Sequence, residues 1–478
     1  MSRPTKKTQR STLEPLEKCP TGIAGLDEVT LGGLPRGRPT LVCGAAGCGK
    51  TLLAMEFIVR GIREFGENGV FMSFEESEDD LVKNVASLGF DLKALQRHSK
   101  LVLDHVHIER REIEETGEYD LEGLFVRLGA AIDKVGAKRV AIDTLEALFA
   151  GLPNEAILRS ELRRLFRWLR ERGVTAIITG EKGEQTLTRY GLEEYISDCV
   201  IFLDHRIANQ IATRRLRVVK YRGSAHGTNE YPTMIDTSGL SVLPISSLGL
   251  DYPVGTKRIS TGVDWLDGML SGKGYMEGSS ILVSGTAGTG KTTLAAAFLD
   301  GVCRRGGRSL FFSFEESPAQ IIRNMHSIGI DIQRHCDKGM LKIHSSRSSL
   351  YGLEQHLVML HQLVKGFKPK AVVIDPVTNL APVGSSDEIK AMLTRMIDYL
   401  KNEGVTTVFT SLTEGGEALD RTEIAISSLM DTWLMAEMVL RNERRQRRLS
   451  VLKSRGMSHS NEMQPFVLSE RGIEISDV

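Results

Sequence analysis

The sequence has no surplus of either charge. Its 61 Lys and Arg balance 61 Asp and Glu among 478 residues. Zero formal net charge excludes a protein that coats nucleic acid or an anionic membrane by bulk charge, and leaves only local basic patches for such contacts. Cysteine is sparse and scattered. Cys19, Cys43, Cys48, Cys199, Cys303 and Cys336 form no CxxC pair and show no Cys/His ligand spacing. That argues against a disulfide scaffold or structural zinc site and for a reducing cytosol. No apolar run reaches the ~18 residues that a bilayer crossing needs. The opening MSRPTKKTQRST lacks the apolar stretch of a secretory signal, so residues 1–14 read as a flexible tail. A soluble, cytoplasmic protein is expected.

What is present is repetition. GAAGCGKT at 44–51 returns as GTAGTGKT at 285–292, and SFEES at 73–77 returns at 313–317. RVAID, ending at Asp143, matches AVVID, ending at Asp375, and KYRGSAH at 220–226 matches KSRGMSH at 453–459. Four motifs in one order at a near-constant offset of about 235 residues mark a tandem duplication of a whole domain. The boundaries expected are 15–246 and 247–478, joined through PISSLGLDYPVGTKR at 244–258, which has linker composition and no helical period. In each copy, short Val/Ile/Phe-rich runs alternate with amphipathic stretches. The first set is PTLVCG, GVFMSFEE, RVAIDT and VTAIITG; the second is SILVSG, SLFFSFEE, AVVIDP and VTTVFTS. Apolar strands separated by helices predict a mostly parallel sheet covered on both faces. The fold class is α/β, twice.

GxxxxGK[ST] between a strand and a helix is a phosphate-binding loop. The backbone N–H groups of Gly47, Cys48 and Gly49, and of Gly288, Thr289 and Gly290, would cradle phosphates. Lys50 and Lys291 would reach the β and γ oxygens, Thr51 and Thr292 would bind Mg2+, and Leu52 and Thr293, the next residues of each loop, are expected among the nucleotide contacts. Asp143 and Asp375 end buried strands, where a carboxylate can orient the metal's ligands; capping of the next helix is the plainer alternative. Glu75–Glu76 and Glu315–Glu316 follow apolar strands directly. One acid of each pair suits activation of a water or hydroxyl, with Glu315 also a metal candidate; the alternative is simple N-terminal charge ahead of a helix. Lys220 and Arg222 recur as Lys453 and Arg455 and suit a γ-phosphate contact from a neighbouring subunit. RNERRQRR at 441–448 and ATRRLRVVK at 212–220 occupy the same place in the two copies and read as charged β-hairpins before nucleic-acid patches.

The copies diverge at one segment. TEIAISSLMDTWL (422–434) aligns with RYGLEEYISDCVI (189–201), pairing Asp431 with Asp198, Ser427 with Glu194, Ser428 with Tyr195 and Thr422 with Arg189.

These features together resemble the KaiC family of circadian-clock ATPases and autokinases, within the RecA-like superfamily. The tandem loops, both SFEES segments, GGLPRGRPTLV at 32–42, the K-x-RG-x-x-H segments and the serine pair carry the resemblance over residues ~15–478. It implies two RecA-like P-loop domains and a homohexamer of two stacked rings, with Mg2+ and ATP held between subunits. It implies slow hydrolysis in the N-terminal ring through Glu75 and Glu76. In the C-terminal ring it implies that Glu315 and Glu316 activate a hydroxyl of the adjacent subunit. Ser427 and Ser428 take the phosphoacceptor positions, with Thr422 at a nearby family hydroxyl. Ser87, Lys220, Tyr221, Arg222, Ser224 and His226 match nucleotide contacts of the first ring. Arg447, Lys453, Ser454 and Arg455 match those of the second, whereas an aromatic position of the family holds Ile328. The chain ends at SERGIEISDV, without the tail that the family's KaiA-type activator grips, so independence from that activator is expected. A KaiB-type partner on the first ring is compatible with the resemblance. A RecA-like nucleic-acid motor is the competing reading, supported by tandem loops and Arg-rich segments and opposed by the balanced charge. A scaffold glued by nucleotide is the third, opposed by intact acid pairs in both copies.

Overall fold

A computed structural model describes residues 16–106, 122–149, 155–183, 187–188, 197–208, 211–244, 255–413, 426–441 and 443–476. The 1–14 tail, most of the 244–258 linker, Thr422 with its counterpart Arg189, and Glu194 and Tyr195, the counterparts of Ser427 and Ser428, lie outside the described residues. The chain divides into two compact units, one of Met1–Arg206 with Arg214–Ser247 and the other of Leu248–Val478, with which Ile207–Thr213 is grouped.

In the first unit the sheet strands are β1 (Pro39–Gly44), β2 (Gly69–Ser73), β3 (Leu101–His105), β4 (Arg139–Asp143), β5 (Thr175–Glu181), β6 (Cys199–Ala208), β7 (Ile211–Tyr221), β8 (Glu230–Asp236) and β9 (Gly239–Val242). In the second they are β10 (Ser280–Gly285), β11 (Ser309–Ser313), β12 (Leu341–Ser345), β13 (Ala371–Asp375), β14 (Thr406–Leu412), β15 (Thr432–Arg441), β16 (Arg444–Ser454), β17 (Gln464–Ser469) and β18 (Gly472–Ile475). The spatial orders are β3-β2-β4-β5-β1-β6-β7-β8-β9 and β12-β11-β13-β14-β10-β15-β16-β17-β18. These are one topology written twice. The six strands from β3 to β6 pair in parallel, as do those from β12 to β15. Antiparallel hairpins extend each far edge.

The α/β expectation holds, and the strand composition explains it. Along β1, β2 and β4 alternate residues serve opposite cores. Val42, Phe71 and Ala141 join the cluster under helix α1 (Lys50–Phe65). Leu41, Cys43, Val70, Met72, Val140 and Ile142 join the one under α2 (Glu122–Val135) and α3 (Glu155–Glu171). A strand buried on both faces needs no polar alternation, hence the continuous apolar runs. Each large side chain so buried contributes ~1.5–3 kcal/mol. The second unit repeats this with Phe298 of α4 (Lys291–Arg304) over Val283, Phe311 and Val373. Periodicity did not reveal β3 and β12, whose sequences LVLDH and LKIHS are half-polar edge strands. The linker read over 244–258 also ends in ordered chain: Arg258 and Ile259 pair with Met276 and Tyr275.

A guanidinium is among the charges enclosed in the first unit. Arg139 is fully buried. Its Nε donates to Glu67 at 2.6 Å, its Nη1 to the Phe57 carbonyl at 3.0 Å and its Nη2 to the Pro20 carbonyl at 2.8 Å. Arg36 braces the other Glu67 oxygen at 2.7 Å. The guanidinium therefore ties the N-terminal segment, β4 and the P-loop helix together. Breaking a buried pair leaves uncompensated polar groups. Arg139→Leu is expected to destabilise the first unit by about 3 kcal/mol, read as a fall in its unfolding midpoint in urea.

Candidate functional site

Each P-loop sits where a parallel strand hands over to a helix, at the carboxyl end of the sheet, where open α/β sheets bind ligands. Gly47 and Gly49 have φ of 73° and 104°, and Gly288 and Gly290 have 77° and 93°, left-handed values that a side chain would strain. The helices that follow begin without a side-chain cap, so their first N–H groups are available to an anion. Lys50 and Lys291 are buried. Lys50 donates to the carbonyls of Gly44 and Ala45 at 2.9 and 3.1 Å, and Lys291 to that of Thr286 at 2.8 Å. Burial holds the Lys291 ammonium below its usual range, while Asp375 and Glu315 pull it back up.

The acids converge on these loops. Thr51 donates to Asp143 at 2.8 Å, and Thr292 to Asp375 at 3.0 Å. Thr179 of β5 and Thr410 of β14 donate to the same carboxylates from the neighbouring strand. Burial raises both carboxyls above the ordinary range, and these hydroxyls oppose it by favouring the ionised form. Ser77 and Ser317 cap the next helices by accepting from Asp80 and Gln320 N–H, so each acid pair stands immediately before a helix start. Glu75 accepts from Thr144 at 3.2 Å. Glu76 accepts from Asn84 at 3.0 Å, and Glu316 accepts from Asn324 at 2.9 Å. Burial and the adjacent Glu315 raise the Glu316 carboxyl.

Such a set suits Mg2+. No group of three or more His, Cys, Asp or Glu is placed to hold a metal among the described residues. A nucleotide-borne Mg2+ asks for less, since it takes one or two protein oxygens plus phosphates and waters. The Thr51–Asp143 and Thr292–Asp375 pairs fit that role.

The remaining residues divide by sheet end. Arg222 N–H donates to the Asp198 carbonyl at 2.8 Å, just before Cys199, the β6 partner of Thr40. Arg455 N–H likewise donates to Asp431, and Asp431 N–H to Ser280 at the start of β10. The segments 220–226 and 453–455 therefore lie at the amino ends of the central strands. The P-loops lie at the carboxyl ends, the length of a six-residue strand away, about 17 Å as five steps of ~3.3 Å. Ser427 and Ser428 share that far end. Lys453 donates to the Ser427 carbonyl at 2.6 Å and Arg455 to the Ser428 carbonyl at 2.8 Å. Ser427 is half-buried and Ser428 exposed. Ser454 bonds Thr432 at 2.9 Å. Tyr221 is buried with its hydroxyl on the Gly33 carbonyl at 2.8 Å, and His226 stacks on it. Ser224 bonds the Ala225 carbonyl at 2.7 Å, Ser87 ends the helix 78–86, and Ile328 packs on the second core. Leu52 and Thr293 pack behind the loops.

Arg447 is the exception. On β16 it donates to the Gly288 carbonyl at 3.1 Å, at its own chain's P-loop. Its repeat counterpart Arg214 acts electrostatically on Cys48. Sequence reasoning named Arg214 only as part of the Arg-rich segment 212–220, although the offset relating Lys220 to Lys453 leads to it directly. It missed Thr179 and Thr410, whose only signal is a hydroxyl at the same place in two apolar strands.

A family model described as "ATPase: KaiC" matches residues 19–247 and again 259–478. The chain belongs to the KaiC family. It is 54% identical over 470 residues to "Circadian clock protein KaiC2" of Synechocystis sp., covering 98% of this chain and 83% of that one. It is 37% identical over 482 residues to "Circadian clock oscillator protein KaiC" of Picosynechococcus sp., covering 100% and 93%. The protein of that name from Thermosynechococcus vestitus is 36% identical over 475 residues, covering 98% and 91%. It is thus a KaiC-family ATPase with two RecA-like units. No helix is long and apolar enough to cross a membrane among the described residues.

Two outcomes follow for this KaiC-family chain. Removing the outer hydroxyls with Thr179→Val and Thr410→Val is expected to raise the Mg2+ concentration for half-maximal ATP turnover by about tenfold, measured by metal titration. At the far edge, burial works against the Asp431 carboxylate, but Lys401 at 2.7 Å and Ser280 outweigh it and hold the carboxyl below its usual range. A depressed carboxyl stabilises above its unfolded value of about 3.9 and loses that as pH falls through the folded value. Asp431→Asn should therefore melt earlier at neutral pH, with the gap to wild type narrowing below about pH 4.

Proposed function

We propose that the chain is an ATPase and serine autokinase and autophosphatase, acting as a timer or signalling node. It works as a double-ring homohexamer with Mg-ATP between adjacent copies. The observation that carries this reading is that the Ser427–Ser428 turn and the P-loop of the same chain stand at opposite ends of β10, a six-residue strand about 17 Å long. Phosphoryl transfer requires reacting atoms about 3–3.5 Å apart, so the acceptor must meet the P-loop of another copy. Head-to-tail contacts that close into a ring provide this for every subunit alike.

In the second ring, Glu315 takes the proton of the Ser427 or Ser428 hydroxyl of the adjacent copy. The serine oxygen forms the new bond to the γ-phosphorus, the β–γ bridging bond breaks, and ADP carries away the electron pair. Lys291 and the N–H groups of Gly288, Thr289 and Gly290 face the charge that develops, and Lys453 and Arg455 reach it from the acceptor's side. Mg2+, when bound at Thr292 and Asp375, supplies charge neutralisation on the phosphates. In the first ring, Glu75 activates water instead, with Lys220 and Arg222 approaching from the neighbour. Thr422 is a further candidate hydroxyl, and a KaiB-type partner on the first ring belongs to the same reading.

Intact-mass measurement after incubation with Mg-ATP tests this. Wild type is expected to gain one or two phosphates that Ser427→Ala/Ser428→Ala lacks. A mixture of Lys291→Ala, with intact acceptors, and Ser427→Ala/Ser428→Ala, with an intact P-loop, should phosphorylate only the former. Phosphate on neither chain of the mixture, with wild type still phosphorylated, would overturn transfer between copies. ATP consumed without any phosphoprotein would favour the nucleic-acid motor instead.

A further inference from the structure

Both units fix one acid of each pair from the same place. Glu76 accepts from Asn84 Nδ2 at 3.0 Å, and Glu316 accepts from Asn324 Nδ2 at 2.9 Å. Each asparagine stands on the helix that begins just after the acids, Glu78–Ala86 in the first unit and Pro318–His326 in the second. Eight residues separate each pair, so a rigid helix rather than a loop sets the contact. Two further bonds complete the frame. The Ser73 and Ser313 hydroxyls accept from the N–H of Glu76 and Glu316, at 3.0 Å in each unit. In the second unit Arg323 donates to Asn324 Oδ1 at 3.2 Å, which turns the amide so that its N–H faces Glu316. Among the contacts described, the carboxylate of the first acid of each pair has no asparagine donor: Glu75 accepts from the Thr144 hydroxyl at 3.2 Å, and Glu315 shares the Ser313 hydroxyl through its backbone N–H, at 3.3 Å.

We propose that Asn84 and Asn324 are positioning residues for nucleotide turnover. They hold Glu76 and Glu316 as fixed carboxylates beside Asp143 and Asp375, and so leave Glu75 and Glu315 as the acids that move a proton. The inference rests on the proposed role of the acid pairs. The physical argument is one of divided labour. A carboxylate that accepts a proton must turn toward the attacking oxygen, whereas one that orients water or metal must not turn at all. An amide donor on a helix supplies that restraint to one acid and withholds it from its neighbour. An isolated contact of this kind would be ordinary surface chemistry. The same residue type, at the same separation, on the same acid in both units is not.

The experiment measures steady-state ATP turnover of the full chain as Asn84→Ala, Asn84→Asp, Asn324→Ala and Asn324→Asp. Alanine is a better helix former than asparagine, and aspartate keeps the shape while removing the donor, so folding is retained in at least one variant of each pair. The Asn84 variants are read by ATP hydrolysis and the Asn324 variants by the rate of phosphate gain on Ser427 and Ser428. The expected result is a fall in kcat of about tenfold, with KM for ATP and the melting temperature held near wild type. Asn84→Gln, which retains the amide, should keep more turnover than Asn84→Asp. Wild-type kcat in both the alanine and aspartate variants, or a loss that appears only in KM, overturns the inference. Glu75→Gln and Glu315→Gln serve as controls. If they too retain turnover, the acid-pair reading has failed; if they abolish it while the asparagine variants stay active, only the positioning role has.

Discussion

The buried carboxylate at the carboxyl end of β4 and β13 is the constraint on which the rest depends. Asp143 and Asp375 are almost wholly enclosed, a position in which an ionised acid is costly unless hydroxyls and cations compensate. Thr51 and Thr179 do so in the first unit, and Thr292 and Thr410 in the second. These partners come from the P-loop helix and from the adjacent parallel strand. The carboxylate therefore fixes the register of three elements at once, and the acid pairs inherit that geometry through the backbone. Phe74 and Phe314 donate their N–H to the carbonyls of Asp143 and Asp375 at 2.8 Å, one residue before Glu75 and Glu315. A shift in β4 or β13 would move the candidate metal-binding carboxylate and the proposed proton acceptor together.

Much of this was legible because it is local. A glycine-rich loop between an apolar strand and a helix is written in consecutive residues, and duplication supplies each motif with its own control. The unread parts depend on contacts far apart in sequence. Arg139 reads as the polar start of a strand, and only the fold shows it buried among Glu67, Phe57 and Pro20. Thr179 and Thr410 look like β-propensity in apolar strands until the parallel register sets them beside the aspartates. The opposed placement of Ser427 and the P-loop needed one further fact, that β10 and β15 are parallel neighbours: the P-loop follows β10 and the serines precede β15, which puts them at opposite ends.

The two units share the P-loop end and differ at the other. At the amino end of the first sheet, Asp198 meets Arg170 at 2.6 Å, with Arg38 and Arg222 near 3.8 and 3.9 Å. In the second, Asp431 meets Lys401 at 2.7 Å, while Lys453 and Arg455 turn to the carbonyls of the serine turn. An aspartate thus anchors this edge in both, but the cations it organises serve different neighbours.

That asymmetry bears on how one duplicated domain comes to run two reactions. On the proposed reading each site is assembled from the carboxyl end of one copy's sheet and the amino end of the next. The half that holds nucleotide, metal and proton acceptor is under heavy packing constraint, since its strands are buried on both faces and its acids are cross-braced. The half that presents the acceptor ends in a short turn whose serines are half-buried and exposed, where substitution costs less than in the strands. Chemistry can then change from water to serine by altering a turn that never touches its own P-loop. On that reading the machinery common to the two units is left intact, because the part that differs would come from a different polypeptide in the assembled site.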